Sequence, residues 1–136
     1  MLFRSWNAFS SLLPPLDRID RVLDWVDLPA AERPAFITLY FSEVDSAGHA
    51  SGPDSRQVRN AIGEVDGYIG RLLRGLEQRG ALATTNIVVV SAHGMAATDR
   101  RRVIVLAYHS SLDDVDVVDI NPTVGLVAKA GREAAA

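Results

Sequence analysis

The stretch Tyr40-Phe41-Ser42-Glu43-Val44-Asp45-Ser46-Ala47-Gly48-His49 ends the first strongly apolar run of the chain. Residues 35–41 are nearly all apolar or β-favouring, which predicts a strand covered on both faces. An aspartate and a histidine, four residues apart, follow this strand in a Gly-containing segment that we expect to be a loop. Asp and neutral His are both ligands for zinc or a similar divalent metal. The stretch therefore predicts a strand end with two candidate metal ligands.

A second segment, Ser91-Ala92-His93-Gly94-Met95, has the same context. It follows the apolar run 86–90, and His93 stands where this second predicted strand ends. Between the two strands, apolar residues at helical spacing predict a helix from a cap at Asp54 or Ser55 to about Gln78, closed by Gly80. We attribute the several glycines inside this helix to close packing against a neighbour.

Strand, helix and strand at this spacing form a βαβ unit, whose strands lie parallel in one sheet. The carboxyl ends of both strands then lie at the edge where open α/β sheets bind ligands. The sequence predicts an α/β fold with a mostly parallel sheet and flanking helices, and one site at that edge. It also predicts a helix over 16–26 and short strands within 103–107, 112–118 and 123–128, with turns at Ser110-Ser111 and Asn121-Pro122.

Composition excludes several classes of protein. The 136 residues are 48% apolar and 23% charged, as in a globular protein of about one domain. A net charge of -3 gives no reason to expect a nucleic-acid polymer as partner, and the absence of cysteine excludes disulfides and thiolate zinc sites. We find neither a membrane-spanning run of about 18 apolar residues nor a signal peptide pattern.

Both motifs resemble those of the nucleotide pyrophosphatase/phosphodiesterase family (type I phosphodiesterases), part of the alkaline phosphatase superfamily. The resemblance is carried by residues 39–49, by Gly52-Pro53-Asp54, by His93-Gly94-Met95, and by the run from Leu112 to Pro122. It implies an alkaline-phosphatase-like α/β fold, hydrolysis of phosphodiester or pyrophosphate bonds in small nucleotide substrates, and two zinc ions. Family enzymes are often exported, and the resemblance leaves localisation and oligomeric state open.

Carried over residue by residue, the resemblance makes Asp45 and His49 two ligands of one zinc ion and His93 a ligand of the other. Tyr40 matches an aromatic residue that stacks on the nucleotide base. Ala92 departs from the family pattern, which has a metal-binding Asp before the His, and a methyl group cannot coordinate a metal. No residue of this chain matches the family's nucleophilic threonine, so we assign no catalytic residue.

The expected organisation is an irregular lead-in over 1–15, a truncated catalytic domain over 16–130 and a tail over 131–136. We expect a fragment of a zinc-dependent hydrolase whose activity is impaired in this chain. Two alternatives stay open: a non-catalytic α/β module with residual metal or partner binding, and a related phosphomonoesterase or phosphonate hydrolase. Structural interpretations of the same residues also stay open, because Asp45 and His49 could cap a helix and His93 or Tyr40 could be ordinary strand residues. We interpret the arginines at 100–102 as a solvated turn.

Overall fold

The structure, a computed structural model, describes residues 10, 12–109, 111–120 and 123–133. The chain divides into two compact units, Met1–Ala97 and Thr98–Ala136. Within the described ranges the first unit contains helices α1 (Pro15–Val26), α2 (Glu43–Ser51) and α3 (Arg56–Gln78), and the second contains strands β1 (Val115–Asp119) and β2 (Gly125–Ala128). The protein is therefore an α/β chain. Most of the predicted lead-in and the last three residues of the predicted tail lie outside the described residues.

The two predicted helices are confirmed: α1 begins one residue earlier than predicted, at Pro15, and α3 has the expected cap and closing glycine. Pro15 occupies the first turn of α1, where its missing N–H costs nothing. The Ser55 hydroxyl accepts a hydrogen bond of 3.2 Å from the Val58 N–H and caps α3. After α3, Gly80 takes a positive φ of 63°, which ends the helix at little steric cost.

The core of the first unit lies between α1 and α3. Ile19 and Leu23 of α1 pack with Leu76 of α3, and all three side chains are buried. Leu23 lies directly against Gly75, where an added Cβ would be 2.5 Å from Leu23 Cδ1. The expected close packing of the helix glycines is thus correct for Gly75, whereas Gly63 and Gly67 face open space.

Ion pairs join the same two helices at the surface. Arg71 Nη2 lies 2.6 Å from Asp20 Oδ1, and Arg79 Nε donates to both carboxylate oxygens of Asp27 at 2.9 and 3.0 Å. The hydrogen bond that Arg79 donates to Asp27 raises the pKa of the Arg79 guanidinium. Exposed ion pairs contribute little to stability because water and salt screen them. Apolar packing between α1 and α3 therefore stabilises the first unit more than these ion pairs do.

Residues 35–41 run beside this core but are not the strand covered on both faces that the sequence predicts. Their burial alternates: Leu39 and Phe41 pack against the core, and Phe41 stacks obliquely on Tyr68 with ring centroids 5.6 Å apart. Phe36 and Tyr40 face outward and are largely exposed. The second predicted strand, 86–90, is exposed along its whole length.

Neither segment is assigned as a strand in the part of the chain that the structure describes. A strand is defined by ladder hydrogen bonds to a neighbour, and the described residues supply none to these two segments. The sheet that is observed pairs β1 with β2 in antiparallel register, Val115 opposite Ala128 and Asp116 opposite Val127.

The second unit matches the predicted short strands in part. β1 overlaps the predicted segment 112–118 and extends one residue beyond it, and β2 lies within the predicted segment 123–128. The third prediction is wrong, because residues 103–107 form no strand and run into a single 3₁₀ turn at Leu106–Tyr108. The predicted turn residues Ser110, Asn121 and Pro122 lie outside the described residues.

The arginines at 100–102 form an exposed 3₁₀ turn, which confirms their interpretation as a solvated turn. Asp99 precedes the turn and accepts hydrogen bonds from the Arg101 side chain and backbone N–H. The Arg101 guanidinium, together with that N–H, lowers the pKa of Asp99 from its ordinary value. Among the described residues no helix is long and apolar enough to cross a membrane.

The packing of Leu23 on Gly75 gives a direct test of the core. Gly75→Ala forces a methyl group into Leu23, and overpacking of this kind costs about 1–3 kcal/mol, more than the roughly 1 kcal/mol that Ala gains in helix propensity. We expect a lower free energy of unfolding by urea denaturation. The matched control is Gly67→Ala in the same helix, which has open space and should stabilise the chain by about 0.5–1 kcal/mol. Equal effects of the two substitutions would contradict the packing.

Candidate metal centre

Asp45 and His49 lie on a helix, and the expectation that they occupy a loop is wrong. Both belong to α2, which begins after Ser42 and ends at Gly52, whose φ is 83°. Residues four apart on a helix lie on the same face, one turn above the other. The helix therefore brings the carboxylate and the imidazole together: His49 Nε2 is 3.5 Å from Asp45 Oδ1.

The second motif meets the same carboxylate. His93 Nε2 lies 3.7 Å from Asp45 Oδ1, although 48 residues separate the two along the chain. The structure thus brings together the three residues that the sequence singles out as candidate metal ligands. Asp45 is the centre of the group, since each histidine contacts the same oxygen atom.

This oxygen atom is in an unusual electrostatic position. Asp45 Oδ1 is buried and has no hydrogen-bond partner among the described residues, while the Asp45 side chain as a whole is 36% exposed. The two histidine side chains are more open, at 70% exposed for His49 and 63% for His93. A buried carboxylate oxygen without a donor costs free energy unless a positive charge or a proton approaches it.

The hydrogen bond of His93 fixes the orientation of its ring. Nδ1 lies 2.9 Å from the Gly94 carbonyl oxygen. Because a carbonyl oxygen only accepts, Nδ1 must donate, and in the neutral ring Nε2 is left with its lone pair. That lone pair is on the nitrogen nearest Asp45. Such a bond from the far ring nitrogen to a carbonyl is typical of histidines that bind metals.

Packing of Met95 on Gly48 holds the two motifs together, and the sequence motifs alone do not reveal it. A Cβ at Gly48 would lie 2.5 Å from the Met95 sulfur and 2.9 Å from its methyl carbon. The thioether therefore occupies the space that any larger residue at 48 would take. Gly48 is the buried residue of α2, one position before His49, and Met95 is two positions after His93.

Arg18 of α1 fixes the backbone that leads into α2. Its side chain is only 10% exposed, and its guanidinium donates to the Tyr40 carbonyl at 3.1 Å and lies 3.9 Å from Glu43 Oε1. It also donates to the Leu13 carbonyl at 3.1 Å. Sequence reasoning missed this residue, because nothing in the local pattern distinguishes Arg18 from the other arginines of the first unit.

The candidate residue Tyr40 and two residues that are not candidate ligands, Ala92 and His109, are exposed. The Tyr40 side chain is 54% exposed, on the outward face of the segment 35–41. Ala92 is exposed beside His93 and offers no donor atom. His109, the third histidine of the chain, is an exposed residue of the second unit.

The donor set fits a zinc-like ion in part. Zinc binds His nitrogen and carboxylate oxygen at about 2.0–2.2 Å, so two donors on one ion are roughly 3–4 Å apart. The separations of 3.5 and 3.7 Å from Asp45 Oδ1 lie in that range. However, no group of three or more His, Asp or Glu side chains within the described ranges could hold a metal ion. The contacts link each histidine to Asp45 but do not close a three-ligand cage.

The contact of Gly48 with Met95 predicts an energetic coupling between the two motifs. Gly48→Ala should lower the free energy of unfolding in the natural background, since Met95 must move out. In the background of Met95→Ala the same substitution should be neutral or stabilising, because the space is free and Ala favours a helix. We expect a coupling energy of about 1 kcal/mol in a double-mutant cycle measured by urea denaturation. Additive effects would show that Met95 does not hold the motifs together.

Comparison with known proteins gives the family. A family model described as type I phosphodiesterase/nucleotide pyrophosphatase matches residues 4–136. The mouse ectonucleotide pyrophosphatase/phosphodiesterase family member 3 is 46% identical over 98 residues, 72% of this chain. An uncharacterised pyrophosphatase/phosphodiesterase of Schizosaccharomyces pombe is 41% identical over 109 residues, 80% of this chain. The venom phosphodiesterase of Macrovipera lebetinus is 39% identical over 90 residues, 66% of this chain.

The chain spans only a small part of these relatives. The matched region covers 11% of the mouse and venom proteins and 22% of the fission yeast protein. Nevertheless the family match extends over nearly the whole sequence, including both motifs and the helix between them. The chain belongs to the type I phosphodiesterase/nucleotide pyrophosphatase family.

Proposed function

We propose that this chain is part of the catalytic domain of a zinc-dependent hydrolase that cleaves phosphodiester or pyrophosphate bonds in nucleotides or related small molecules. The observation that carries the proposal is the Asp45 carboxylate, whose buried oxygen faces a ring nitrogen of His49 and of His93 at 3.5 and 3.7 Å. The names of the relatives, pyrophosphatases and phosphodiesterases, support the class of reaction.

Each residue has a distinct part in this proposal. Asp45 and His49, fixed on one face of α2, bind a metal ion, and His93 supplies a further nitrogen ligand. A bound zinc ion would supply positive charge opposite the phosphoryl oxygens of the substrate. Tyr40, exposed five residues before Asp45, offers an aromatic face on which a nucleotide base can stack.

The predicted parallel sheet belongs to the same proposal. Residues 35–41 and 86–90 end immediately before α2 and before the His93 motif. Their exposed apolar side chains, among them Phe36, Val88 and Val90, are 66–81% exposed. An exposed apolar row of this kind marks a surface that another element covers. We propose that both segments are strands of a parallel sheet in a longer protein. The relatives indicate the expected size of that protein.

We propose that the chain by itself has impaired hydrolase activity. Ala92 replaces a metal-binding aspartate of the family pattern, and no residue here matches the nucleophilic threonine. Thr84 and Thr85 do not fill that role, since both hydroxyls donate to the Ala81 carbonyl at 3.1 and 2.8 Å. Ala92 also favours a second candidate function, a module without catalysis that binds a metal ion.

A chromogenic thymidine monophosphate ester tests whether the chain is active. With zinc present, we expect hydrolysis no faster than that of the Asp45→Ala variant, because the chain lacks a nucleophile. Release of the chromophore is followed by absorbance, and circular dichroism confirms that both proteins are folded. Turnover that Asp45→Ala abolishes would show that the chain is a working enzyme.

Metal binding is tested separately by calorimetry. After treatment with a chelator, titration with zinc should release heat from the natural chain, and His49→Ala should weaken the affinity at least tenfold, because one of few ligands is lost. His109→Ala is the matched control, since this exposed histidine lies outside the proposed site. Identical traces for the natural chain and His49→Ala would show that this site does not bind zinc.

A further inference from the structure

We infer that the Met95 thioether is an oxidation site, and that its conversion to methionine sulfoxide detaches the second motif from α2. The reactant is a peroxide, an oxidant class that transfers one oxygen atom to a thioether. The inference concerns the packing between the two motifs, and it does not rest on the proposed metal binding or hydrolysis.

Methionine carries all the sulfur of this chain. The sequence has no cysteine and two methionines, Met1 and Met95. Cysteine thiolates are the sulfur groups that peroxides otherwise attack, so in this chain the sulfur targets are the two thioethers. Met95 is the one that lies among the described residues, and its contacts show what oxidation changes there.

Met95 anchors the segment that carries the second motif. From residue 83 to residue 98 every residue is exposed except Met95, which is half-buried. The hydrogen bonds of Ser91 and His93 to carbonyl oxygens stay within the motif, at His93 and Gly94. Met95 is therefore the side chain through which this otherwise exposed segment packs on α2.

The sulfur atom has no room for an oxygen atom on the side that faces α2. A Cβ at Gly48 would lie 2.5 Å from the Met95 sulfur and 3.9 Å from Val58 Cγ2, so the thioether lies in apolar surroundings. The Gly48 N–H is used within α2, and the Val58 side chain has no donor. A sulfoxide oxygen is polar and needs a donor or water, so the oxidised side chain must leave this contact.

The position of Met95 also lets a peroxide reach it. The side chain is only half-buried, and Gly94 and Ala96 on either side of it are exposed. A sulfur lone pair attacks one peroxide oxygen, an S–O bond forms and the O–O bond breaks. The departing hydroxide takes the proton of the transferred hydroxyl and leaves as water. Sulfur loses two electrons and the peroxide gains them.

Release of Met95 changes the surroundings of His93. Met95 is two positions after His93, whose Nε2 lies 3.7 Å from Asp45 Oδ1. Once the oxidised side chain leaves Gly48, the segment loses its packing on α2 and His93 is no longer held beside Asp45. His49 keeps its place, because it is on the same helix as Asp45. Oxidation therefore separates the two motifs and leaves α2 intact.

Treatment of the folded chain with hydrogen peroxide tests this inference. Trypsin releases Met95 in the peptide 80–100 and Met1 in a different peptide, so mass spectrometry measures oxygen addition at each. Urea denaturation then compares the free energy of unfolding before and after oxidation. The matched control is Met95→Leu, which has a similar volume and no thioether. This variant retains Met1 and Trp25, so an effect of peroxide at those residues would persist in it.

We expect oxidation of Met95 to raise the unfolding equilibrium constant about tenfold, because a polar oxygen is left without a partner in the packed state. Methionine sulfoxide reductases should restore the original stability. Peroxide should leave the stability of Met95→Leu unchanged. In NMR spectra the imidazole signals of His93 should shift on oxidation, whereas those of His109, an exposed residue of the second unit, should not.

Three results would overturn the inference. Met95 could stay unoxidised in the folded chain while Met1 is oxidised, which would show that the sulfur is shielded. Equal losses of stability in the natural chain and in Met95→Leu would show that oxidation acts elsewhere. Full oxidation of Met95 without a change in stability or in the His93 signals would show that the contact with Gly48 is not an anchor. If Met95→Leu does not fold, reductase treatment of the natural chain decides, and a loss that persists after reduction contradicts the inference.

Discussion

The site depends on the buried carboxylate oxygen of Asp45. This atom is buried and finds no hydrogen-bond donor in the part of the chain that the structure describes, which costs free energy. Arg18 holds the backbone that enters α2, and Met95 packs where a side chain at Gly48 would otherwise lie. Arg18 contacts the backbone at Tyr40, which precedes Asp45 in the sequence. Met95 contacts Gly48, which follows Asp45. Together these two contacts tie the segment before α2 to α1, and the buried residue of α2 to the second motif.

The helical conformation of α2 fixes the distance between Asp45 and His49, which are four positions apart in the sequence. On a loop, an aspartate and a histidine four residues apart have no defined separation. On a helix they share a face, and the observed distance of 3.5 Å is the kind of separation that this spacing allows. The third candidate ligand cannot be placed in this way, because His93 approaches from a distant segment. Its position relies on tertiary packing, and the thioether of Met95 is the part of that packing closest to both motifs.

Sequence predicts those features of the fold that depend on local chemistry. Both α1 and α3 follow from apolar spacing, and the Ser55 cap and Gly80 at the ends of α3 are observed as predicted. Composition predicts strands at 35–41 and 86–90, but a strand exists only with a hydrogen-bonded neighbour. The pattern of α2 suggests a loop because Gly48 is a poor helix former. The contact of Gly48 with Met95 requires a glycine at position 48 and cannot be predicted from either motif alone.

In the candidate site, too, some features follow from residue types and others depend on tertiary packing. Residue types identify Asp45, His49 and His93, and the structure brings them together. The resemblance assigns His93 to a separate ion because the family pattern has a carboxylate beside it, and in this chain that residue is Ala92. In the structure, the carboxylate that His93 contacts is that of Asp45, because α2 presents the Asp45 oxygen to both imidazoles at nearly equal distances. Residue types alone cannot predict this pairing, since it depends on how α2 packs against the second motif.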